Sequence, residues 1–355
     1  MNKTENRSSQ GIEIRNLYKI FGPQADRHLE AAKNGIGKTE LNRDTGHVIG
    51  LRDINISMPG GEITVVMGLS GSGKSTLIRH INRLIEPTAG EVLYDGDDVC
   101  RMTPSALRDF RRRKTAMVFQ KFGLLPHRTV MENAVYGLDI QRVPRSESVK
   151  TGRYWLERVG LNGYEDHYPN QLSGGMQQRV GLARALANDA DILLMDEAYS
   201  ALDPLIRVDM QTMLLDLQDE LKKTVVFITH DLDEALRLGD KIVILRDGEV
   251  VQQGSGQDIV LNPANDYISA FVREVNRGRV IRISTIMSQP RTLSSHLKLR
   301  GATTLETAAR AMVESEVSAA HVTDKTGKII GTIDLSGIVG AMVNRTAPPM
   351  ALAAE

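Results

Sequence analysis

The sequence predicts an α/β protein: a doubly wound parallel sheet, preceded by two half-buried strands, interrupted by a helical lobe and followed by a small α+β region. Three observations carry that prediction. Short apolar runs rich in β-branched residues recur at 62–67, 116–119, 192–195, 225–229 and 242–245, with helical stretches between several of them. Such runs mark strands buried on both faces by flanking helices. The first run is followed at once by glycines and then by a helix pattern from Ser75, a strand–loop–helix unit. Residues from Phe122 to about Ser173 lack strong strand signals and read mostly helical.

Taken in chain order, residues 1–10 (MNKTENRSSQ) form a polar tail. Residues 12–17 and 51–57 alternate apolar and polar, the period of a half-buried strand. The stretch 23–49 between them is rich in charge and glycine and too long for a hairpin loop, so it is expected to be an insertion with a short helix around 27–33. The inserted helical subdomain spans about 122–188. Past Arg273 the pattern changes to a charged linker over 273–290. A small region then reads helix, strand (AAHVTD), turn at Gly327, strand (KIIGTI), helix, within 291–345, and 346–355 is a second tail.

Composition narrows the function classes. A length of 355 residues suits two domains, and 41% hydrophobic with 25% charged residues describes an ordinary globular chain. Lysine plus arginine and aspartate plus glutamate stand at 44 each, so no global field recruits nucleic acid or an acidic membrane surface. A single cysteine, Cys100, excludes an intramolecular disulfide and a multi-thiolate metal site, which fits a reducing compartment. The first ten residues have no apolar core of a secretory signal, so the protein is expected to stay in the cytosol. No stretch approaches the roughly 18–20 apolar residues that cross a bilayer, so a transport role has to borrow membrane spans from another chain.

The strongest motif is GLSGSGKST at 68–76, which satisfies the P-loop pattern in its required place between strand and helix. Glycines let successive backbone N–H groups turn toward phosphate oxygens, and the helix N-terminus adds a favourable field. In that arrangement Lys74 neutralises the β and γ phosphates and the Ser75 hydroxyl ligates Mg²⁺. DILLMDE at 191–197 is a buried strand ending in two acids at the carboxyl edge of the sheet. Asp196 suits Mg²⁺ and Glu197 suits a general base, two tasks that adjacent acids can divide. His230 follows the strand VVFIT and could contact the γ-phosphate or hold Glu197 in place. Gln120 ends TAMVFQ in the same way and could sense Mg²⁺ or the attacking water. LSGGMQQR at 172–179 opens a helix with Ser173 as N-cap, a second anion site that is redundant within one chain and useful to a second copy.

GLSGSGKST, Gln120, LSGGMQQR, ILLMDE, SALD at 200–203 and His230, in this order over about 11–272, resemble the ABC transporter ATPase family. The resemblance implies a P-loop ABC ATPase core, a RecA-like parallel sheet plus an antiparallel β subdomain. It implies a head-to-tail dimer binding ATP and Mg²⁺, with Gly68, Ser70, Gly71, Ser72, Gly73, Lys74, Ser75 and Thr76 around the phosphates. Ser173, Gly174 and Gly175 of the other copy would grip the γ-phosphate, and Asp203 would communicate between the two sites. Phe21 matches the aromatic residue that stacks on adenine, with Tyr18 as the nearby rival.

A closer likeness is to the osmoprotectant branch, through NLYKIFG, the insertion before the P-loop, INRLIEPTAGEVLYDG, LLPHRTVMENAVYG, MDEAYSALDPLIR, HDLDEALRLGD and NPANDYISAFVR. It implies import of a betaine, choline or related quaternary amine, with histidine or trimethylamine N-oxide uptake as the alternative and a non-transport ABC ATPase behind both. The implied partners are a second copy, an integral membrane permease received near LLPHRTVMEN, and a periplasmic or lipid-anchored solute-binding protein, with no nucleic acid. The implied location is the cytoplasmic face of the inner membrane. Residues 291–345 resemble one CBS repeat, where that branch often carries a pair, and serve either as a sensor or as a dimerisation tail.

Overall fold

The computed structural model describes residues 11–343, and the tails expected at 1–10 and 346–355 lie outside the described residues. The chain divides into two compact units, one ending at Gln253 and the other starting at Gly254.

Among the described residues the first unit contains ten strands in two sheets. The strands are β1 (Ile12–Phe21), β2 (Val48–Met58), β3 (Ile63–Met67), β4 (Ala89–Tyr94), β5 (Asp97–Asp98), β6 (Thr115–Phe119), β7 (Ile192–Asp196), β8 (Thr224–Thr229), β9 (Lys241–Arg246) and β10 (Glu249–Gly254). The order β2-β1-β4-β5 makes one sheet, with β1 antiparallel to both neighbours. The order β10-β9-β3-β8-β7-β6 makes the other, in which the pairs from β9 through to β6 are parallel. Strands β3, β7 and β8 are buried along their whole length, as their unbroken apolar runs require.

Register sets the site. Asp196 stands opposite Phe119 on β6 and Ile228 on β8, and Met67 stands opposite Thr229. The residues that follow these four strands, Gly68, Gln120, Glu197 and His230, therefore emerge together at one carboxyl edge of the sheet. A single core joins the two sheets, with Ile12, Ile14, Leu17, Ile54 and Ile56 packed with Val66, Leu77, Ile78, Leu194 and Val226. Within β8, Phe227 is fully buried with its ring centroid 5.4 Å from that of Tyr199. Replacing Phe227 by Ala is expected to cost about 3–5 kcal/mol, read as a lower denaturant midpoint for the first unit.

The expected insertion folds as a 3-10 turn (Ala25–His28) and two helices, Leu29–Lys33 and Lys38–Thr45. Its apolar contribution is small but well placed. Ala32 and Leu41 are buried against Tyr18, Ile20 and Ile49. In the helical lobe, the helices Arg145–Arg158 and Gly174–Ala187 bury Leu156 and Val180 completely. Asn133 pins the loop before it. Its side-chain amide donates to the carbonyls of Leu125, Arg128 and Thr129, and its oxygen accepts from Leu125 N.

The second unit holds β11 (Lys298–Arg300), β12 (Ala319–Thr323) and β13 (Ile329–Asp334), with β11 parallel and β13 antiparallel to β12. Helices Leu305–Glu314 and Leu335–Val343 cover them around Leu305, Met312, Val322, Ile333 and Ile338. The charged linker expected at 273–290 carries helical turns at Arg277–Val280 and Ile283–Ile286 and buries Ile281 and Ile283 in this core. The division also falls before the expected boundary at 272. Leu261 packs on the same core, and the Gln257 side-chain oxygen accepts a 3.1 Å bond from Arg282 N. Among the described residues no helix is long and apolar enough to cross a membrane.

Candidate active site

The loop after β3 takes its shape from backbone geometry that side chains resist. Gly68 has φ +152, and a Cβ there would lie 2.2 Å from the Leu245 carbonyl oxygen. Gly73 has φ +103, and a Cβ there would lie 2.8 Å from Gly50 O. Both positions need glycine for conformation and for close approach. Ser72 N donates to Leu69 O at 3.2 Å, and Gly248 N donates to Ser72 O at 3.0 Å, which ties the loop to the turn after β9.

The helix Lys74–Ile81 starts directly from this loop, so its free N–H groups and Lys74 occupy one place. Lys74 is 5% exposed and donates through Nζ to Gly68 O (2.9 Å) and Leu69 O (3.1 Å). The same Nζ lies 3.7 Å from Glu197 Oε1. Further along the helix, burial pushes the His80 imidazole down to about 4, leaving it neutral near neutral pH.

Asp196, the last residue of β7, accepts a 2.9 Å bond from Ser75 Oγ, and its other oxygen lies 3.6 Å from an Arg79 guanidinium nitrogen. Glu197 follows with φ +46, a left-handed conformation uncommon for a residue with a Cβ. Its amide donates to Ile228 O at 3.1 Å, and the Ser200 hydroxyl donates to its carbonyl at 2.9 Å. This turn aims the carboxylate into a polar ring. Gln120 Nε2 donates to Glu197 Oε2 (3.4 Å) and to Ser200 Oγ (3.2 Å), and His230 Nδ1 lies 3.7 Å from Glu197 Oε2. Lys74, Ser75, Gln120, Asp196, Glu197 and His230 therefore meet at one sheet edge, although they come from four separate strand ends.

The segment carrying His230 is tied to the helix Pro204–Leu221. Arg207 lies 3.4 Å from Asp231, and Gln211 donates to the buried Glu234 at 3.0 Å. Burial raises the Glu234 carboxyl above its ordinary value, opposed by hydrogen bonds from Thr229 and Gln211.

Other candidate residues stand elsewhere. Ser173 caps the helix Gly174–Ala187, accepting from Met176 N at 3.3 Å, and Gly175 is pressed so closely on Ile206 that a Cβ would lie 2.7 Å from it. Asp203 caps the helix Pro204–Leu221, accepting from Ile206 N at 3.0 Å. Phe21 ends β1 and is 39% exposed, with the Lys19 ammonium 5.1 Å from its ring centroid, whereas Tyr18 is buried under the insertion. Two neighbours escaped the sequence reading. Ser200, three residues beyond Glu197, joins it to Gln120, and Arg79, one helical turn beyond Ser75, faces Asp196. Their spacing from the recognised motif was the available signal.

The donor set suits a small hard cation. A hydroxyl and a carboxylate side by side, Ser75 Oγ and Asp196, are the oxygen ligands that Mg²⁺ takes when waters and substrate phosphates complete its shell. Glycine-rich loop, buried lysine, cation site and an aimed carboxylate together can bind a nucleoside triphosphate and activate a water beside it.

A family model described as ABC transporter matches residues 51–200. The glycine betaine transport ATP-binding protein OpuAA of Bacillus subtilis (strain 168) is 50% identical, covering 91% of this chain and 76% of its own. The trimethylamine N-oxide transport system ATP-binding protein TmoW of Pelagibacter ubique (strain HTCC1062) is 44% identical, covering 94% and 98%. A bacterial ABC transporter cassette solved as a dimer is 34% identical with TM-score 0.59, covering 69% of this chain and 98% of that one. A dimeric post-hydrolysis state of that cassette, bound to ADP and Pi, has the same score and coverage.

Proposed function

The chain belongs to the ATP-binding proteins of ABC transport systems, and from that premise we propose that it drives uptake of glycine betaine or a closely related methylated amine. It binds and hydrolyses ATP as the energising subunit of an importer. The observation that carries the mechanism is the convergence of Lys74, Ser75, Asp196, Glu197, Gln120 and His230 at one carboxyl edge.

Lys74 and the backbone of residues 68–76, including Ser70, Gly71, Ser72 and Thr76, hold the β and γ phosphates. Ser75 and Asp196 would hold Mg²⁺, with Gln120 at the same sheet edge, and the ion would neutralise charge that develops on the phosphate oxygens. Glu197 takes a proton from water as its oxygen bonds to the γ-phosphorus and the bond to the bridging oxygen breaks. His230 and Gln120 keep the carboxylate pointed at that water. Phe21 stacks on adenine, since its ring is exposed and Tyr18 is committed to the core.

The segment Leu172–Arg179 completes the site of a second copy, with Ser173, Gly174 and Gly175 at its γ-phosphate and Asp203 linking the two sites. ATP bound between two copies closes the dimer, and hydrolysis reopens it, a two-state element biased by ligand. The dimer works at the cytoplasmic face of the membrane beneath a permease, with a separate protein delivering solute. The relatives that support this reading are transport ATP-binding proteins, and the trimethylamine N-oxide relative matched over 98% of its length favours that solute as the second reading.

The test is ATPase activity after co-expression with the neighbouring permease and binding protein, comparing glycine betaine, choline, trimethylamine N-oxide and histidine. Stimulation by glycine betaine is expected, and stimulation by histidine alone would overturn the methylated-amine reading.

Residues 291–345 act as a CBS-like regulatory module, an assignment that rests on the helix-strand-strand-helix order of residues 305–343, which strand β11 precedes. Truncation after Gln253 is expected to keep basal ATPase and abolish the salt response of transport. An unchanged salt response would leave the unit a dimerisation element.

A further inference from the structure

We infer that the insertion at 23–49 positions the adenine-stacking ring, and that His47 is the residue through which it does so. The inference rests on the proposed stacking of adenine on Phe21. Strands β1 and β2 are paired to their last residues, Phe21 opposite Val48, yet the chain between them makes the whole insertion before returning. A strand end at the mouth of so long a loop is prone to fray, because nothing in a tight turn holds it shut.

His47 closes that mouth. Its Nε2 lies 2.8 Å from Pro23 O, and its Nδ1 lies 3.0 Å from Thr45 O and 3.1 Å from Thr45 Oγ1. The ring rests on Gly22, where a Cβ would lie 2.2 Å from His47 Cδ2 and where φ is +138. The His28 ring covers it with centroids 4.2 Å apart.

The insertion in turn holds His47. Asn42 donates to His47 O at 3.3 Å and Thr45 Oγ1 donates to Leu41 O at 2.7 Å, on a helix anchored by the buried Leu41. Contact thus runs from the insertion helix, anchored by Leu41, through His47 to Gly22 and Pro23, the residues next to Phe21. The ring itself lies against Gly50, where a Cβ would be 2.6 Å from Phe21 Cε2, and beneath the Lys19 ammonium. An aromatic face fixed on these sides is preorganised for a base, and fixing it in advance lowers the ordering cost of binding.

The test is steady-state ATPase of the full chain with His47→Ala, His47→Gln, Phe21→Ala and the double variant Phe21→Ala/His47→Ala. Loss of one stacked base contact raises KM for ATP about tenfold in Phe21→Ala. His47→Ala is expected to raise KM about threefold to fivefold with kcat unchanged, and His47→Gln, which can still donate to Pro23 O, to restore it. The double variant is expected to stay within about twofold of Phe21→Ala, since the two residues act as one unit.

If His47→Ala does not fold, Gly22→Ala displaces the same ring and carries the same expected split. An unchanged KM in the His47 or Gly22 variant beside a raised KM in Phe21→Ala would overturn the inference and keep the stacking. So would a His47 effect of equal size with and without Phe21. An unchanged KM in Phe21→Ala would overturn the stacking reading and the inference with it.

Discussion

Replacing Glu197 by Gln lowers saturated ATP turnover by about 10²- to 10⁴-fold, the usual contribution of a general base, while ATP affinity stays within about twofold. The substitution keeps the shape of the side chain and removes only its negative charge and basicity. Glu197 sits at φ +46 between Gln120 and His230, with Lys74 3.7 Å from one oxygen, and a glutamine tolerates that backbone as well as a glutamate does. In the proposed mechanism binding depends on the loop at 68–76 and on Lys74, which the change leaves in place. Phosphate release at saturating ATP, with nucleotide binding measured on the same sample, separates the two effects. Residual turnover within a few-fold of the parent would remove the base assignment.

Replacing Lys74 by Ala acts on the other half of the site and weakens ATP binding by about 10²-fold or more, as expected when one partner of a buried charged contact is deleted. Lys74 is almost wholly buried and folded over the loop, so no neighbouring cation can take its place without rebuilding the turn. Arginine should not restore binding, because a planar fork does not fit where an ammonium meets two carbonyls of a tight loop. Equilibrium binding of ATP measures this directly. Affinity unchanged in Lys74→Ala would show that the loop backbone alone holds the phosphates.

The sheet edge was legible because it is written twice, once as buried apolar runs and once as polar residues immediately after them. Four such runs bring Gly68, Gln120, Glu197 and His230 to the same edge, and parallel register does the rest. What stayed hidden has physical causes. Sequence alternation could not choose between Tyr18 and Phe21, because β1 shifts register on either side of Leu17 and buries the consecutive residues Leu17 and Tyr18. The insertion read as a polar excursion because so few of its residues, Ala32 and Leu41 among them, reach the core. The stretch 273–290 read as a linker because Ile281 and Ile283 sit among arginines, and their burial depends on partners tens of residues away. The contacts of Ser200 and Arg79 became visible only when hydrogen bonds and distances were known, since lying near a recognised motif in sequence does not say which side chain a residue meets.

In the proposed dimer one chain carries half of each catalytic site, the loop at 68–76 and Glu197 on one side and Ser173, which caps its own helix, on the other. The most direct test of this account is light scattering of the Glu197→Gln protein, with bound nucleotide measured in the same sample. With ATP and Mg²⁺ the mass is expected to rise to twice the 39.1 kDa of one chain, and with ADP it should not. A particle of single-chain mass with ATP demonstrably bound would contradict the shared site.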